Sequence, residues 1–271
     1  MKTPLLPGRL DRTLPFTPAN RNIIGEMAVT QLLMQPGLKR AFGGVYARVD
    51  PETLRLARNS ILPIIFCLTH SGWWDGHIAF LLHSKVFRRQ GYLMMEDHQL
   101  ARYFFFTWAG VFGINRHDPR KAIAAIEYIS EKLKTESGTV LWMFPQGTMV
   151  HPEARPINIY GGAANIARRL DECALVPVAV RYEFLLEQAP DAFACVGPPL
   201  LVSAGGHLSS REITTRLQAA MTSTADDLRH DIASSNLRAY RRVLEGRGSV
   251  NKAWDRVVSA AGRVKSLVVR G

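Results

Sequence analysis

The stretch Ile61-Leu62-Pro63-Ile64-Ile65-Phe66-Cys67-Leu68 runs directly into Thr69-His70-Ser71-Gly72-Trp73-Trp74-Asp75. Eight nearly uninterrupted apolar residues predict a buried strand of the kind found inside a parallel sheet. His70 and Asp75 follow at its carboxyl end, which is the usual position of ligands and active sites in open α/β sheets.

The spacing of His70 and Asp75 limits where each residue can stand. Neighbours on a helix lie three or four residues apart, so a spacing of five puts the two side chains on different faces. They can meet only if His70 stands on the loop and Asp75 on the first turn of the next helix. A carboxylate that is hydrogen-bonded to one imidazole nitrogen then holds the ring in a single tautomer, and the other ring nitrogen is free to take a proton. The alternative is a polar turn between a strand and a helix, without chemistry.

The composition limits the class of protein. A chain of 271 residues with 47% apolar content can bury a full core as one large domain, or as one domain with appendages. Its three cysteines lie far apart, which indicates reduced core residues, and their spacing does not suggest zinc. We see no signal peptide and no apolar run of about 18 residues, so we expect a cytoplasmic protein whose membrane contact is peripheral.

The net charge of +11 is concentrated at the two ends of the chain. Residues 1–48 hold seven Lys and Arg against two Asp and Glu, residues 49–237 hold 18 against 19, and residues 238–271 hold nine against two. Basic ends suit an anionic surface, either phospholipid headgroups or nucleic acid. Because the balanced middle lacks interleaved aromatic and basic residues, we favour an anionic membrane surface and expect no nucleic-acid partner. The alternative is that the basic ends only aid solubility.

We expect three regions. Residues 1–49 predict a proline-rich extended segment over 1–22, a helix over 23–33 that ends at Gln35-Pro36-Gly37, and a second helix over 38–49. Residues 50–237 predict an α/β domain. Residues 238–271 predict a basic tail with an amphipathic helix, which is a candidate for membrane contact.

Within the middle region, apolar runs alternate with helical patterns. This alternation predicts a mostly parallel central sheet flanked by helices, and therefore the α/β class. Besides 61–68, strands are predicted over 91–95, 139–144, 175–180, 193–196 and 200–202, and helices over 120–135, 160–167 and 209–230.

The loop Gly113-Ile114-Asn115-Arg116 comes just ahead of the predicted helix over 120–135. Asp118 is suited to cap that helix and Pro119 to begin it. A guanidinium beside a helix start suits an anion, so Arg116 is a candidate anion contact. A solvated loop charge is the alternative.

A third motif, Phe144-Pro145-Gln146-Gly147-Thr148, follows the predicted strand over 139–144. Proline and glycine predict a tight turn there, and glycine lets the backbone approach a ligand closely.

Each motif is weak alone, but the ordered combination is specific. His70-x4-Asp75, Gly113–Arg116 and Phe144–Thr148, followed by Val176-Pro177-Val178-Ala179, resemble the glycerolipid acyltransferase family, including the enzymes that acylate 1-acylglycerol 3-phosphate. The resemblance spans about residues 60–182.

The resemblance implies roles for these residues. His70 would take the proton from an acceptor hydroxyl, with Asp75 orienting the imidazole, while the hydroxyl attacks an acyl thioester carried on coenzyme A or acyl carrier protein. The resemblance further implies a lipid acceptor, such as a lysophospholipid, and requires no metal or cofactor. The acceptor pocket would comprise Asn115, Arg116, Pro145, Gln146, Gly147 and Thr148, with Arg116 contacting the acceptor's phosphate. Nearby backbone N–H groups could stabilise the oxyanion.

The third motif departs from the family pattern, which usually reads Phe-Pro-Glu-Gly-Thr-Arg. Gln146 replaces the glutamate and Met149 the arginine, so one negative and one positive charge are missing. We therefore keep a second acceptor class open, a non-phosphorylated glycolipid or isoprenoid-type lipid. A thioesterase or lipid hydrolase that uses the same pair to activate water is the remaining alternative, although the chain lacks a Gly-x-Ser-x-Gly motif.

Overall fold

One mixed sheet organises the chain. The computed structural model describes residues 14–185, 187–203, 206 and 208–247, and in this part nine strands form a single sheet. The strands are β1 (Gly44–Val49), β2 (Ile64–Leu68), β3 (Gly91–Glu96), β4 (Val111–Ile114), β5 (Val140–Met143), β6 (Glu172–Glu183), β7 (Asp191–Val196), β8 (Leu200–Ser203) and β9 (Arg241–Glu245). Their spatial order is β4-β3-β5-β2-β6-β7-β1-β9, and β8 pairs with β6.

Helices connect and cover these strands. The α-helices are α1 (Ile23–Ala28), α2 (Gln35–Ala41), α3 (Pro51–Asn59), α4 (Asp75–Leu82), α5 (Asp97–Arg102), α6 (Pro119–Thr135), α7 (Gly162–Ala167) and α8 (Ser210–Ala233). Two π-helical turns, Val29–Met34 and His83–Phe87, and a 3₁₀ segment, Phe104–Ala109, complete the set. The predicted α/β class is therefore confirmed.

The parallel half of the sheet runs from β4 through β3, β5 and β2 to β6. All five residues of β2 are buried, in agreement with the predicted buried strand. Because parallel strands end at the same edge, the residues after β2, β4 and β5 are brought to one edge of the sheet.

Alternation along β2 supplies both layers of the core. Ile64, Phe66 and Leu68 pack into one apolar cluster, whereas Ile65 and Cys67 pack into the other, as expected for side chains that point to opposite faces. The first cluster includes residues of α2 and α4, and the second includes residues of α6, α7 and α8. All three cysteines are buried and free, as predicted.

The helix predicted over residues 38–49 is wrong in its second half. Helix α2 ends at Ala41, and β1 pairs in parallel with β7 and antiparallel with β9. Backbone pairing on both sides outweighs a weak helical spacing, and Val45, Tyr46 and Val49 are residue types that favour strands. One sheet therefore joins residues on both sides of the predicted boundaries at 49/50 and 237/238.

The helix end predicted at Gln35-Pro36-Gly37 is also wrong, because the chain stays helical from α1 through the π-helical turn into α2. Pro36 lies in the first turn of α2, where its missing N–H costs little. Gly37 faces the indole of Trp74, and an added Cβ would lie 3.3 Å from the ring. We call residues 23–41 the helical arm. Because Gly37 has no side chain, the arm can pack closely on Trp74.

Residues 14–22 lie along the edge of the sheet beside β4. The N–H of Gly113 donates to the carbonyl of Thr17 at 2.7 Å, and Asn20 and Asn22 donate to the carbonyls of Thr107 and Trp108. The remainder of the predicted extended segment, residues 1–13, and the predicted tail helix lie outside the described residues. Among the helices that the structure describes, none is long and apolar enough to cross a bilayer.

Burial in β2 predicts very different costs for the same substitution at two nearby positions. Ile65 is fully buried, whereas Ile61 precedes β2 and is 76% exposed. We expect Ile65→Ala to lower the free energy of unfolding by about 2–5 kcal/mol, because it leaves a cavity between the sheet and its helices. Ile61→Ala should change it by about 0.5 kcal/mol or less. Urea denaturation of both variants checks this, and equal costs would contradict the placement of the strand.

Candidate active site

His70 and Asp75 meet as their spacing predicts. Strand β2 ends at Leu68, His70 stands on the following loop, and Asp75 begins α4. Nδ1 of His70 lies 2.9 Å from Oδ2 of Asp75. Because Nδ1 faces the carboxylate, Nε2 is the ring nitrogen that can accept a proton.

Asp75 is fully buried and accepts hydrogen bonds on both oxygens. Oδ2 also accepts from the backbone N–H groups of Ser71 at 2.7 Å and Gly72 at 2.8 Å. Oδ1 accepts from the hydroxyl of Tyr182 at 2.5 Å. These donors compensate for the water that the carboxylate loses on burial.

Tyr182 was not identified by the sequence analysis. It lies on β6, 107 residues after Asp75 and three residues past the fourth motif, so only the pairing of β6 with β2 brings it to the site. Burial raises the pKa of Tyr182 well above its ordinary value, and the charge of Asp75 raises it further. The hydroxyl therefore keeps its proton and acts as a donor.

His70 is held from two further sides. Its ring stacks on Phe144, with ring centroids 4.3 Å apart, and its backbone N–H donates to Oε1 of Gln146 at 2.8 Å. Both partners belong to the third motif, which follows β5. The side chain of His70 is 21% exposed, so the ring is fixed in place and still accessible.

Arg116 lies against the turn of the third motif. Gly147 has φ +67°, and a Cβ there would lie 2.5 Å from Nη1 of Arg116. Glycine thus permits both the backbone conformation and the close approach of the guanidinium. Nε of Arg116 lies 3.6 Å from Oε2 of Glu96, at the end of β3, and about a third of the side chain is exposed. Glu96 is a further residue that the sequence analysis missed.

The other predicted pocket residues have local contacts. Oδ1 of Asn115 accepts from the N–H of His117 at 3.0 Å and so shapes its own loop. Pro145 is buried, and its carbonyl accepts from the N–H of Tyr160 at 2.9 Å. Thr148 is exposed. Hydrogen bonds thus connect His70 directly to Asp75 and Gln146. Arg116 lies against Gly147, whereas the described side-chain hydrogen bond of Asn115 is within its own loop.

Comparison with known protein families identifies the region of the chain that contains these residues. Residues 51–181 match the sequence model of the Acyltransferase family, from the start of α3 to near the end of β6. The chain carries an acyltransferase domain. The predicted family resemblance is confirmed, and all four motifs lie within the matched range. No curated protein matches the chain.

A small, open cleft lies beside the His70 loop of the acyltransferase domain. Thr69, Ser71 and Gln146 line it, together with Arg155 and Arg181. Both guanidinium groups are already paired, Arg155 with Asp226 at 2.7 Å and Arg181 with Glu153 at 2.5 Å. The cleft therefore carries little uncompensated positive charge, in contrast to Arg116 and its longer ion pair.

Metal ligands do not gather at this site: in the part of the chain that the structure describes, no three His, Cys, Asp or Glu side chains come together as a metal ion would need.

The contact between Arg116 and Gly147 predicts a position-specific cost of adding a methyl group. We expect Gly147→Ala to lower the free energy of unfolding by about 1 kcal/mol or more, because alanine is strained at positive φ and would displace Arg116. Gly76 is the matched control, because it lies in α4 with open space where its Cβ would be. Gly76→Ala should be neutral or stabilising by up to about 1 kcal/mol. Urea denaturation of both variants checks this, and an undisturbed Gly147→Ala protein would contradict the described turn.

Proposed function

We propose that this protein transfers a fatty acyl group from an acyl thioester, carried on coenzyme A or acyl carrier protein, to a hydroxyl of a lipid acceptor. The observation that carries the proposal is the pair of His70 and the buried Asp75 at the carboxyl edge of the sheet, inside an acyltransferase domain. Such a pair can hold an imidazole in the tautomer that general-base catalysis needs.

The reaction follows from the chemistry of the pair. Nε2 of His70 removes the proton from the acceptor hydroxyl while its oxygen attacks the thioester carbonyl, and Asp75 stabilises the imidazolium that forms. The tetrahedral intermediate then collapses, the carbon–sulfur bond breaks, and the departing thiolate takes the proton from His70. The N–H groups of Ser71 and Gly72 already bind Asp75, so the oxyanion requires other donors.

The position of Arg116 favours a phosphorylated acceptor such as a lysophospholipid. A guanidinium that is partly exposed, and whose one ion pair among the described residues is long, suits a phosphate. Gln146 does not weaken the link to His70, because the His70 N–H needs an acceptor oxygen and the amide provides one. A non-phosphorylated glycolipid or isoprenoid-type acceptor is the second candidate, which the missing charges at Gln146 and Met149 favour.

We also propose that the enzyme works at an anionic membrane surface. Ile24, Met27 and Leu32 of the helical arm are each more than half exposed, and a basic pair, Lys39 and Arg40, follows on the same arm. A helical segment that carries both exposed apolar side chains and cations suits the boundary between headgroups and acyl chains. The arm packs on Trp74, one residue before the catalytic Asp75, so a docked arm would hold the site close to its lipid acceptor.

Acyl transfer itself is tested by thiol release from acyl-CoA and acyl-carrier-protein donors, with and without lysophospholipids and neutral glycolipids. We expect acceptor-dependent release that His70→Ala lowers by about 100-fold or more, because a positioned general base contributes that much. Arg116→Ala should raise KM for phosphorylated acceptors, whereas Arg120→Ala, on the first turn of α6, should not. Release that needs no acceptor would instead indicate a hydrolase, and an unchanged KM in Arg116→Ala would favour a neutral acceptor.

Membrane docking is tested by co-sedimentation with vesicles of phosphatidylcholine, with and without phosphatidylglycerol. We expect the double variant Met27→Glu/Leu32→Glu to bind phosphatidylglycerol vesicles at least about tenfold more weakly, because two apolar anchors are replaced by charges. Ile61→Glu is the matched control, since Ile61 is equally exposed but precedes the amino end of β2. Equal binding by the double variant and the control would rule out the arm as the docking surface.

A further inference from the structure

Tyr182 contacts the catalytic pair through the carboxylate oxygen of Asp75 that His70 does not contact. Its hydroxyl donates to Oδ1 of Asp75, whereas His70, Ser71 and Gly72 share Oδ2. The two carboxylate oxygens of Asp75 therefore accept hydrogen bonds from different parts of the chain. Oδ2 holds the imidazole and the loop, and Oδ1 is held by β6.

The ring of Tyr182 is itself held firmly. It stacks on Phe42, with centroids 5.3 Å apart and planes 22° from parallel, and Phe42 directly follows the helical arm. The other contact is with the loop: a Cβ on Gly72 would lie 3.0 Å from the Tyr182 ring, so the glycine lets the loop close onto it. Strand pairing with Ala192 of β7 fixes the backbone. The hydroxyl is thus directed at Asp75 by contacts on several elements.

We infer that Tyr182 is a positioning residue of the acyl-transfer reaction, which orients Asp75 and limits how strongly the carboxylate attracts the protonated His70. This inference rests on the proposed role of His70 as general base. A hydrogen bond to a buried carboxylate disperses its negative charge, and less of that charge then acts on the imidazolium.

The direction of the effect follows from this argument. Without the hydroxyl, Oδ1 loses a donor in a fully buried position, and the carboxylate acts on His70 with more of its charge. The pKa of His70 should rise, so a larger fraction of the base is protonated at a given pH. Asp75 also gains freedom to rotate, which lowers kcat even where His70 is neutral.

Three other ionisable groups near His70 and Asp75 must not confuse the measurement of the effect of Tyr182 on His70. On α4, burial lowers the pKa of His77 to about 4, so it remains neutral above that pH. On β6, Arg181 is paired with Glu153 and Glu183. His151, which lines the cleft, follows the residue whose N–H binds the His70 carbonyl, and a His151→Gln background removes its titration from the measurement.

The test compares Tyr182→Phe with Tyr240→Phe. Tyr240 also donates a hydroxyl to a buried aspartate, Asp231, at 3.0 Å, but it belongs to a separate cluster with Arg48. The pKa of His70 is measured by NMR titration of histidine-labelled full-length protein, with His70→Ala to assign the signal, and kcat and KM are measured in parallel. Replacement of Tyr182 by 3-fluorotyrosine, a stronger donor that keeps the ring, is a third arm.

We expect Tyr182→Phe to raise the pKa of His70 by about half a pH unit or more and to lower kcat about tenfold, with KM within about twofold. Tyr240→Phe should leave both values unchanged, and fluorotyrosine should shift the pKa in the opposite direction. An unshifted His70 in Tyr182→Phe and in the fluorotyrosine protein would overturn the inference. The titration needs no substrate, so a protein without acyl-transfer activity would refute the proposed function and still leave the effect of Tyr182 on His70 measurable.

Discussion

The site depends on one buried charge. Asp75 has no contact with solvent, and a carboxylate in that position is tolerated only when hydrogen bonds replace its water. The donors come from the His70 ring, the loop backbone at Ser71 and Gly72, and Tyr182 on β6. Because the carboxylate needs all of these groups near it, the loop, α4 and β6 must adopt a single arrangement. The same requirement that stabilises the loop therefore also orients the imidazole.

The parallel sheet explains how residues distant in sequence reach this carboxylate. Strand β2 lies between β5 and β6, so the loop with His70 is flanked by the third motif on one side and by Tyr182 on the other. Gln146 binds the His70 backbone from the β5 side, while Arg116 reaches Gly147 from the loop after β4. Convergence of carboxyl ends at one edge thus builds a site from three loops and one strand.

Much of this could be predicted from the sequence, because it depends on local patterns. Continuous apolar runs identified β2 and β5, helix signals identified α6 with Asp118 as its cap, and the five-residue spacing placed His70 and Asp75. Strand β1 could not be predicted in this way, because it is stabilised by pairing with β7 and β9 rather than by its own pattern. Tyr182 and Glu96 were missed for a related reason: each acts through a partner on another element, and no spacing in the sequence encodes that contact.

Gln146 and Met149, which differ from the family pattern of the third motif, have different consequences because they have different surroundings. Gln146 occupies a position where an oxygen must accept the N–H of His70, and an amide oxygen meets that requirement as a carboxylate does. The substitution therefore leaves the link between the two motifs intact and changes only the charge next to His70. Met149, by contrast, is half exposed, and a cation lost there removes nothing that the fold needs. With the links within the protein preserved, the two departures change the charge of the turn, and Arg116 still lies against it at Gly147.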